Sequence, residues 1–271
     1  VSTVDRIDYS NDTATAVAKG PLSQVVMNHG ACSSRANAIP LKGPGVLDVS
    51  VSLSAFSRNY GPQGTDFGYF GGGTPGAKST VDRIDYSNDT ATAAVKGPLS
   101  SIRYGLAATG NTNFGYFGGG GPSSSQVSTV DRIDYNNDTA TALVKSPLSV
   151  IKYGLAATGN AFFGYFGGGG YPSNTSSVDR IDYLNDTTTA VAKGPLSSAK
   201  SFRAATGNAN FGYFGGGTPG PVSTVDRIDY SNDTATAAVR GPLSLARETL
   251  AATGNIDFGY FGGGGSGIRN H

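Results

Sequence analysis

Tryptophan is absent from this 271-residue chain, and cysteine, methionine and glutamate occur once each, as Cys32, Met27 and Glu248. A single cysteine excludes an internal disulfide, so the fold rests on packing and strand pairing. Histidine appears twice, at His29 and His271. Cys32 and His29 supply two ligands where a zinc site takes three or four, so no metal or cofactor is expected. Charged residues make up 14% of the chain and the net charge is +1. That balance offers no basic field to nucleic acid. No stretch approaches the roughly 18 apolar residues of a membrane span, so no membrane insertion is expected. The first residues lack the basic-then-apolar order of a signal peptide, which leaves secretion open. Helix is hard to place, because glycine or proline interrupts every apolar period.

What the chain does have is glycine, 41 residues of it, with 14 tyrosines and 13 phenylalanines to fill a sheet-rich core. These fall into repeats. Phe-Gly-Tyr-Phe-Gly-Gly-Gly begins at Phe67, Phe114, Phe163, Phe211 and Phe258, and Val-Asp-Arg-Ile-Asp-Tyr begins at Val4, Val81, Val130, Val178 and Val225. The period is about 48 residues, in the range of propeller blades. The N-terminus opens on the second block without a first, and the C-terminus closes on a first block without a second.

The third copy shows the strands. Leu155-Ala156-Ala157-Thr158 is strand A, ended by the turn pair Gly159-Asn160. Phe163-Gly164-Tyr165-Phe166 is strand B, broken by Gly167-Gly168-Gly169. Val178 to Tyr183 is strand C, with Asp179, Ile181 and Tyr183 on one face and Val178, Arg180 and Asp182 on the other. A turn at Leu184-Asn185-Asp186-Thr187 leads to strand D, Thr188 to Ala192, which stops before Gly194-Pro195. Each unit is a four-stranded antiparallel meander.

The expected fold is a single all-β domain over 1-271, a five-bladed β-propeller of four-stranded antiparallel blades. The fifth blade is shared between 1-19 and 249-264, so that pairing of the N-terminal strands with the C-terminal strands closes the ring and hides both edges. An insertion from about 24 to 52 is expected in the connection from strand D to strand A.

The order of features resembles a kelch repeat: Arg103, Lys152, Lys200 or Arg247 before strand A, an aromatic strand closed by double glycine, then a strand ending in aspartate and tyrosine. The resemblance covers about four-fifths of the chain and implies the propeller fold. It departs at strand D, where kelch units carry a tryptophan and this chain has Val17, Val95, Val144, Val191 and Val239. The phrases FGYFGGG, STVDRIDYSNDTATA and GPLS are also similar to tandem repeats in large structural proteins of marine cyanophages. That resemblance implies a virion or extracellular fibre component, with other subunits of the fibre or virion as partners.

Variation between copies is one-sided. The A-to-B and C-to-D turns keep their residues, whereas the B-to-C loops differ and the D-to-A connections add aromatic rings. Candidate ligand contacts on that variable face are Lys78, Tyr104, Gln126, Tyr153, Tyr171, Asn174 and Phe202. A cell-surface glycan or protein is the expected ligand. The alternatives are a purely architectural spacer and, behind it, a glycosidase-type enzyme.

The charges of strand C, namely Asp82, Arg83 and Asp85, Arg132 and Asp134, Arg180 and Asp182, and Arg227 and Asp229, read as structural ion pairs. A catalytic role is not expected, because every copy carries the same triplet and none stands out as acid or base. Asn11, Asn88, Asn137, Asn185 and Asn232 match the glycosylation triplet but also suit tight turns. Calcium at Asp8, Asn11 and Asp12 lacks the alternating oxygens and glycine of a calcium loop.

Overall fold

The computed structural model describes residues 4–6, 17–33, 67–122, 125–255 and 257–265. Among these are twenty strands and three 3-10 turns, at Tyr86–Asn88, Tyr135–Asn137 and Tyr230–Asn232. No helix among the described residues is long and apolar enough to cross a membrane. β1 (Val4–Arg6) and β2 (Val17–Lys19) form a two-stranded sheet. The first complete sheet follows, with β3 (Gly30–Ser33), β4 (Phe67–Gly71), β5 (Val81–Asp85) and β6 (Ala94–Lys96) in that order. The second holds β7 (Ala107–Gly110), β8 (Phe114–Gly118), β9 (Val130–Asp134) and β10 (Leu143–Lys145). The third holds β11 (Ala156–Gly159), β12 (Phe163–Gly167), β13 (Val178–Asp182) and β14 (Val191–Lys193). The fourth holds β15 (Ala204–Gly207), β16 (Phe211–Gly215), β17 (Val225–Asp229) and β18 (Ala238–Arg240). β19 (Ala251–Gly254) and β20 (Gly259–Gly262) make a final two-stranded sheet. All pairings are antiparallel between neighbours in sequence, so the four complete sheets are the expected meander.

Register follows from the turns. In the third sheet Asn160 Oδ1 accepts from the backbone N–H of Phe162 at 2.9 Å and of Phe163 at 3.0 Å, a side-chain clamp that fixes the A-to-B turn. Asn111, Asn208 and Asn255 do the same. Tyr165 then faces Arg180, and Phe166 faces Asp179.

The core lies between sheets rather than within one. Tyr116, Val130 and Leu148 of the second sheet region pack with Leu155, Phe166, Ile181, Tyr183 and Ala190 of the third. Equivalent clusters join the first sheet to the second and the third to the fourth. Small residues on strand A let successive A strands lie side by side, β3 on β7, β7 on β11, β11 on β15 and β15 on β19. The last glycine of strand B receives the aromatic ring of the next sheet. A Cβ on Gly118 would sit 2.7 Å from Phe166 Cε1.

One expectation changes. The excursion expected from about Gln24 begins later, because Gly30-Ala31-Cys32-Ser33 is strand A of the first sheet, in register Gly30 to Gly71. The chain between this strand and Phe67 therefore belongs to an A-to-B connection, and residues 34–66 lie outside the described residues. Among the described residues β20 pairs only with β19, and β1 only with β2. Each half-sheet is fastened instead to the complete sheet beside it. Lys19 Nζ is 3.1 Å from Asp89 Oδ1, and Gly20 N–H donates to the Asp89 carbonyl at 2.7 Å, while Phe261 packs against Gly215. The strand D valines Val17, Val95, Val144, Val191 and Val239 are all more than half exposed on the outer strands.

Candidate functional site: the loop face and its axial cavity

Asn28, Gly105, Gly154, Phe202 and Thr249 hold one register position, two residues before strand A of each unit. All five have positive φ, at 52°, 65°, 65°, 52° and 57°. They form a backbone belt. Gly105 N–H donates to Asn28 O at 2.9 Å, Gly154 to Gly105 at 2.8 Å, Phe202 to Gly154 at 2.6 Å and Thr249 to Phe202 at 2.9 Å. For a residue as bulky as Phe202 that conformation costs roughly 1–3 kcal/mol and persists only where surroundings enforce it.

The belt rims a cavity of about 120 Å³ that draws lining residues from all five units. Its wall is formed at the next position along, by Leu106, Leu155 and Leu250, with His29 and Arg203 in the two remaining places. Beside it runs an aromatic row. Tyr104 and Tyr153 meet edge to face at 5.5 Å between centroids, and Tyr153 and Phe202 at 5.7 Å. Such edge-to-face pairs add about 0.5–1.5 kcal/mol each. Burial and the neighbouring Tyr104 lift the Tyr153 phenol to about 12, so the Tyr153 hydroxyl stays protonated at neutral pH. A row of rings next to a cavity edged by glycines suits a flat apolar face carrying hydrogen-bonding groups.

The other expected contacts are dispersed. Lys78 is half-buried, and its backbone bridges Arg103. Asn174 Nδ2 donates to the carbonyl of Thr218 in the next loop at 3.2 Å. Gln126 is half-buried, and Tyr171 stands 52% exposed away from the row. The structure thus unites Tyr104, Tyr153 and Phe202 and leaves Lys78, Gln126, Asn174 and Tyr171 on the surrounding loops.

The strand C charges divide by role. Arg83, Arg132 and Arg180 do form ion pairs, but with the turn aspartate of the next unit, Asp138 at 2.8 Å, Asp186 at 2.7 Å and Asp233 at 2.7 Å. Each of those carboxylates also takes a lysine, Lys96, Lys145 or Lys193, and a tyrosine hydroxyl from the preceding sheet. Asp85, Asp134, Asp182 and Asp229 cap the following turn instead, accepting the backbone N–H of Ser87, Asn136, Leu184 and Ser231. They lie at the strand end, within reach of the turn's backbone N–H groups, and Asp85 and Asp229 also accept from the hydroxyls of Ser87 and Ser231 at 2.6 and 2.7 Å. Arg227 lies over the Phe211 ring, with 4.3 Å from Cζ to the centroid.

The inner aspartates are engaged in a different way. Arg103 pairs with Asp131, Lys152 with Asp179 and Arg203 with Asp226, and both members of each pair are buried. Arg203 comes from a different position than Arg103, because Lys200 turns outward to the Pro219 carbonyl at 2.7 Å. Asp82 meets Ser23 instead, through its N–H at 3.0 Å and hydroxyl at 2.6 Å. Cys32 Sγ accepts from the Tyr135 hydroxyl at 3.4 Å, and burial pushes the thiol up to about 12. Asn88, Asn137, Asn185 and Asn232 are exposed on the turns, whereas Asp8, Asn11 and Asp12 lie outside the described residues.

The belt was not legible in the sequence, because its five members are Asn, Gly, Gly, Phe and Thr. The only signal was the paired glycines Gly105 and Gly154. No known family model and no curated protein matches the chain.

Proposed function

We propose that this protein is a non-enzymatic recognition module, a five-bladed propeller whose loop face takes a glycan or protein ligand. The belt supports the ring: four of its links are made, and its end members, Asn28 and Thr249, border the same cavity. Pairing of β1 with β20 would add the fifth sheet and bring the Asn28 N–H to the Thr249 carbonyl. The observation that carries the recognition reading is the row Tyr104, Tyr153 and Phe202 beside the axial cavity. Rings held edge to face are rigid before a ligand arrives, so little side-chain entropy is lost on binding.

Similar loops set around an axis can hold several weak contacts together, and such multivalency raises apparent affinity by roughly 100-fold to 10,000-fold where geometry allows. The wording of the repeats extends the proposal to a virion or extracellular fibre, displayed to a cell surface. A glycan array and a panel of cell-surface proteins, probed with the parent chain and with Tyr153→Ala, test the reading. Binding that falls at least tenfold in the variant supports it. The absence of any binder, or equal binding by both chains, overturns it.

A further inference from the structure

A second cavity, of about 250 Å³, opens between the fourth sheet and the final β19–β20 pair, lined among others by Thr206, Tyr213, Phe258 and Gly259. At the three joints between complete sheets this place is filled. Tyr135 stacks on Tyr69, Tyr183 on Tyr116 and Tyr230 on Tyr165, each at 4.7 Å between centroids. Their hydroxyls reach Cys32, Thr109 and Thr158 on strand A of the preceding sheet. They also lie 2.7 to 2.8 Å from where a Cβ on Gly115, Gly164 or Gly212 would stand. Tyr213, Thr206 and Gly259 are the fourth such set by register. A Cβ on Gly259 would meet only Thr206.

We propose that this cavity is a tyrosine socket and that its occupant is Tyr9 of the same chain. Three filled joints define what the socket takes: a phenol stacked on one ring, with its hydroxyl delivered to a strand A side chain of the preceding sheet, a threonine in two of them and Cys32 in the other. A cavity of about 150 Å³ already accepts a benzene ring, so the volume suffices. Tyr9 ends the same Val-Asp-Arg-Ile-Asp-Tyr block as Tyr135, Tyr183 and Tyr230. β1 sets that block in the usual register with its strand D, Val4 opposite Lys19 as Val178 is opposite Lys193. A charge points the same way. Arg247 stands at the position of Arg103, with its guanidinium 3.5 Å from the Gly263 carbonyl and 3.4 Å from Ser244 Oγ. Arg103 makes the corresponding contact to Gly119 and then pairs with Asp131. By register Asp5 holds the position of Asp131.

This inference rests on the ring-closure part of the proposed function and not on its ligand. The test is Tyr9→Ala in the full chain, compared with Tyr183→Ala. The unfolding midpoint is expected to fall by a similar amount in both, and millimolar phenol is expected to raise the midpoint of Tyr9→Ala while leaving the parent unchanged. A midpoint equal to that of the parent, or equal binding of phenol by parent and variant, overturns the socket. Should Tyr9→Ala fail to fold, 3-fluorotyrosine at position 9 gives a second reading, since a fluorine shift equal to that in the urea-unfolded chain also overturns it. Sedimentation equilibrium separates the occupants: a monomer supports Tyr9 of the same chain, and a concentration-dependent oligomer assigns the socket to a second copy, overturning it. A costly Gly262→Ala alongside a neutral Tyr9→Ala would leave the ring reading standing without the socket.

Discussion

The hydroxyl of Tyr165 donates to Asp233 Oδ2 at 2.9 Å, across the joint between the third and fourth sheets. Asp233 also receives Arg180 at 2.7 Å and Lys193 at 3.1 Å, so three donors from one sheet converge on a single turn carboxylate of the next. The same knot forms at Asp138 and Asp186. It explains how an Asn-Asp-Thr turn at the edge of one sheet locks the sheet before it.

Desolvation pushes the Asp233 carboxyl up, but the hydrogen bonds from Tyr165 and Lys193 and the charge of Arg180 outweigh it and hold the group below the usual carboxylate range. A depressed carboxylate stabilises the fold above its unfolded pKa, and the contribution is lost as pH falls through the folded value. Asp233→Asn is therefore expected to lower the urea midpoint at pH 7. The two proteins should converge once the pH is well below about 4, where the wild-type carboxyl is protonated. A gap that persists unchanged in acid would show that the side chain acts by packing rather than charge.

Arg103 and Asp131 form an ion pair with neither side chain exposed. Asp131 is further held by the Ser100 N–H and hydroxyl at 2.9 and 2.7 Å, and Arg103 by the carbonyls of Gly119 and Thr129 at 3.0 Å each. Removing one member of a buried pair leaves the other charged and unmatched, which costs about 3–5 kcal/mol. Arg103→Met is expected to destabilise by that order in chemical unfolding. Adding Asp131→Leu should return most of the loss, because the stranded charge is gone. A double variant no more stable than the single one would mean that the backbone contacts of Arg103 matter more than the pair.

His29 occupies the wall position held by Leu106, Leu155 and Leu250 in three other units. Burial lowers its pKa, and the charge of Asp82 opposes this without prevailing. A histidine depressed in the folded state contributes stability that is complete above its unfolded pKa of about 6.5 and is lost as pH falls through the folded value. The melting temperature is expected to drop as pH falls below about 6.5, with a shallower drop in His29→Leu. Removing the counter-charge with Asp82→Asn should lower the histidine pKa further, as read by NMR titration against His271. A His29 that titrates at or above 6.5 would contradict the burial.

Strand order was legible because the pattern needs only local chemistry. Asn160 clamps its own turn, Gly167 ends its own strand, and Val178 to Asp182 alternates to two faces. What escaped was set by groups distant in sequence. Arg180 read as a structural ion-pair residue with no partner named, and that partner, Asp233, is supplied by the next unit. Gly30 to Ser33 was absorbed into an insertion, because its composition departs from Ala-Ala-Thr-Gly while its size does not. The aromatic row was half visible. Tyr104, Tyr153 and Phe202 all stood out as rings, but Phe202 sits one position later, so its place in the row depends on its positive φ.

Closure of the ring can be read from one methyl group. Gly71, Gly118, Gly167 and Gly215 each receive a phenylalanine of the next unit, Phe117, Phe166, Phe214 or Phe261, at 2.7 to 2.8 Å from a would-be Cβ. Gly262 holds the same strand position, and among the described residues a Cβ there meets nothing within 4 Å. In a closed ring the neighbour that reaches Gly262 is Phe70. Gly118→Ala is expected to destabilise by about 1–3 kcal/mol through overpacking. If β1 pairs with β20, Gly262→Ala should carry a penalty of the same order, while an open array should tolerate it within about 0.5 kcal/mol. Parallel urea titrations of the two variants decide between these outcomes, and because the substitutions are chemically identical, any difference between them reports the neighbour that each glycine has.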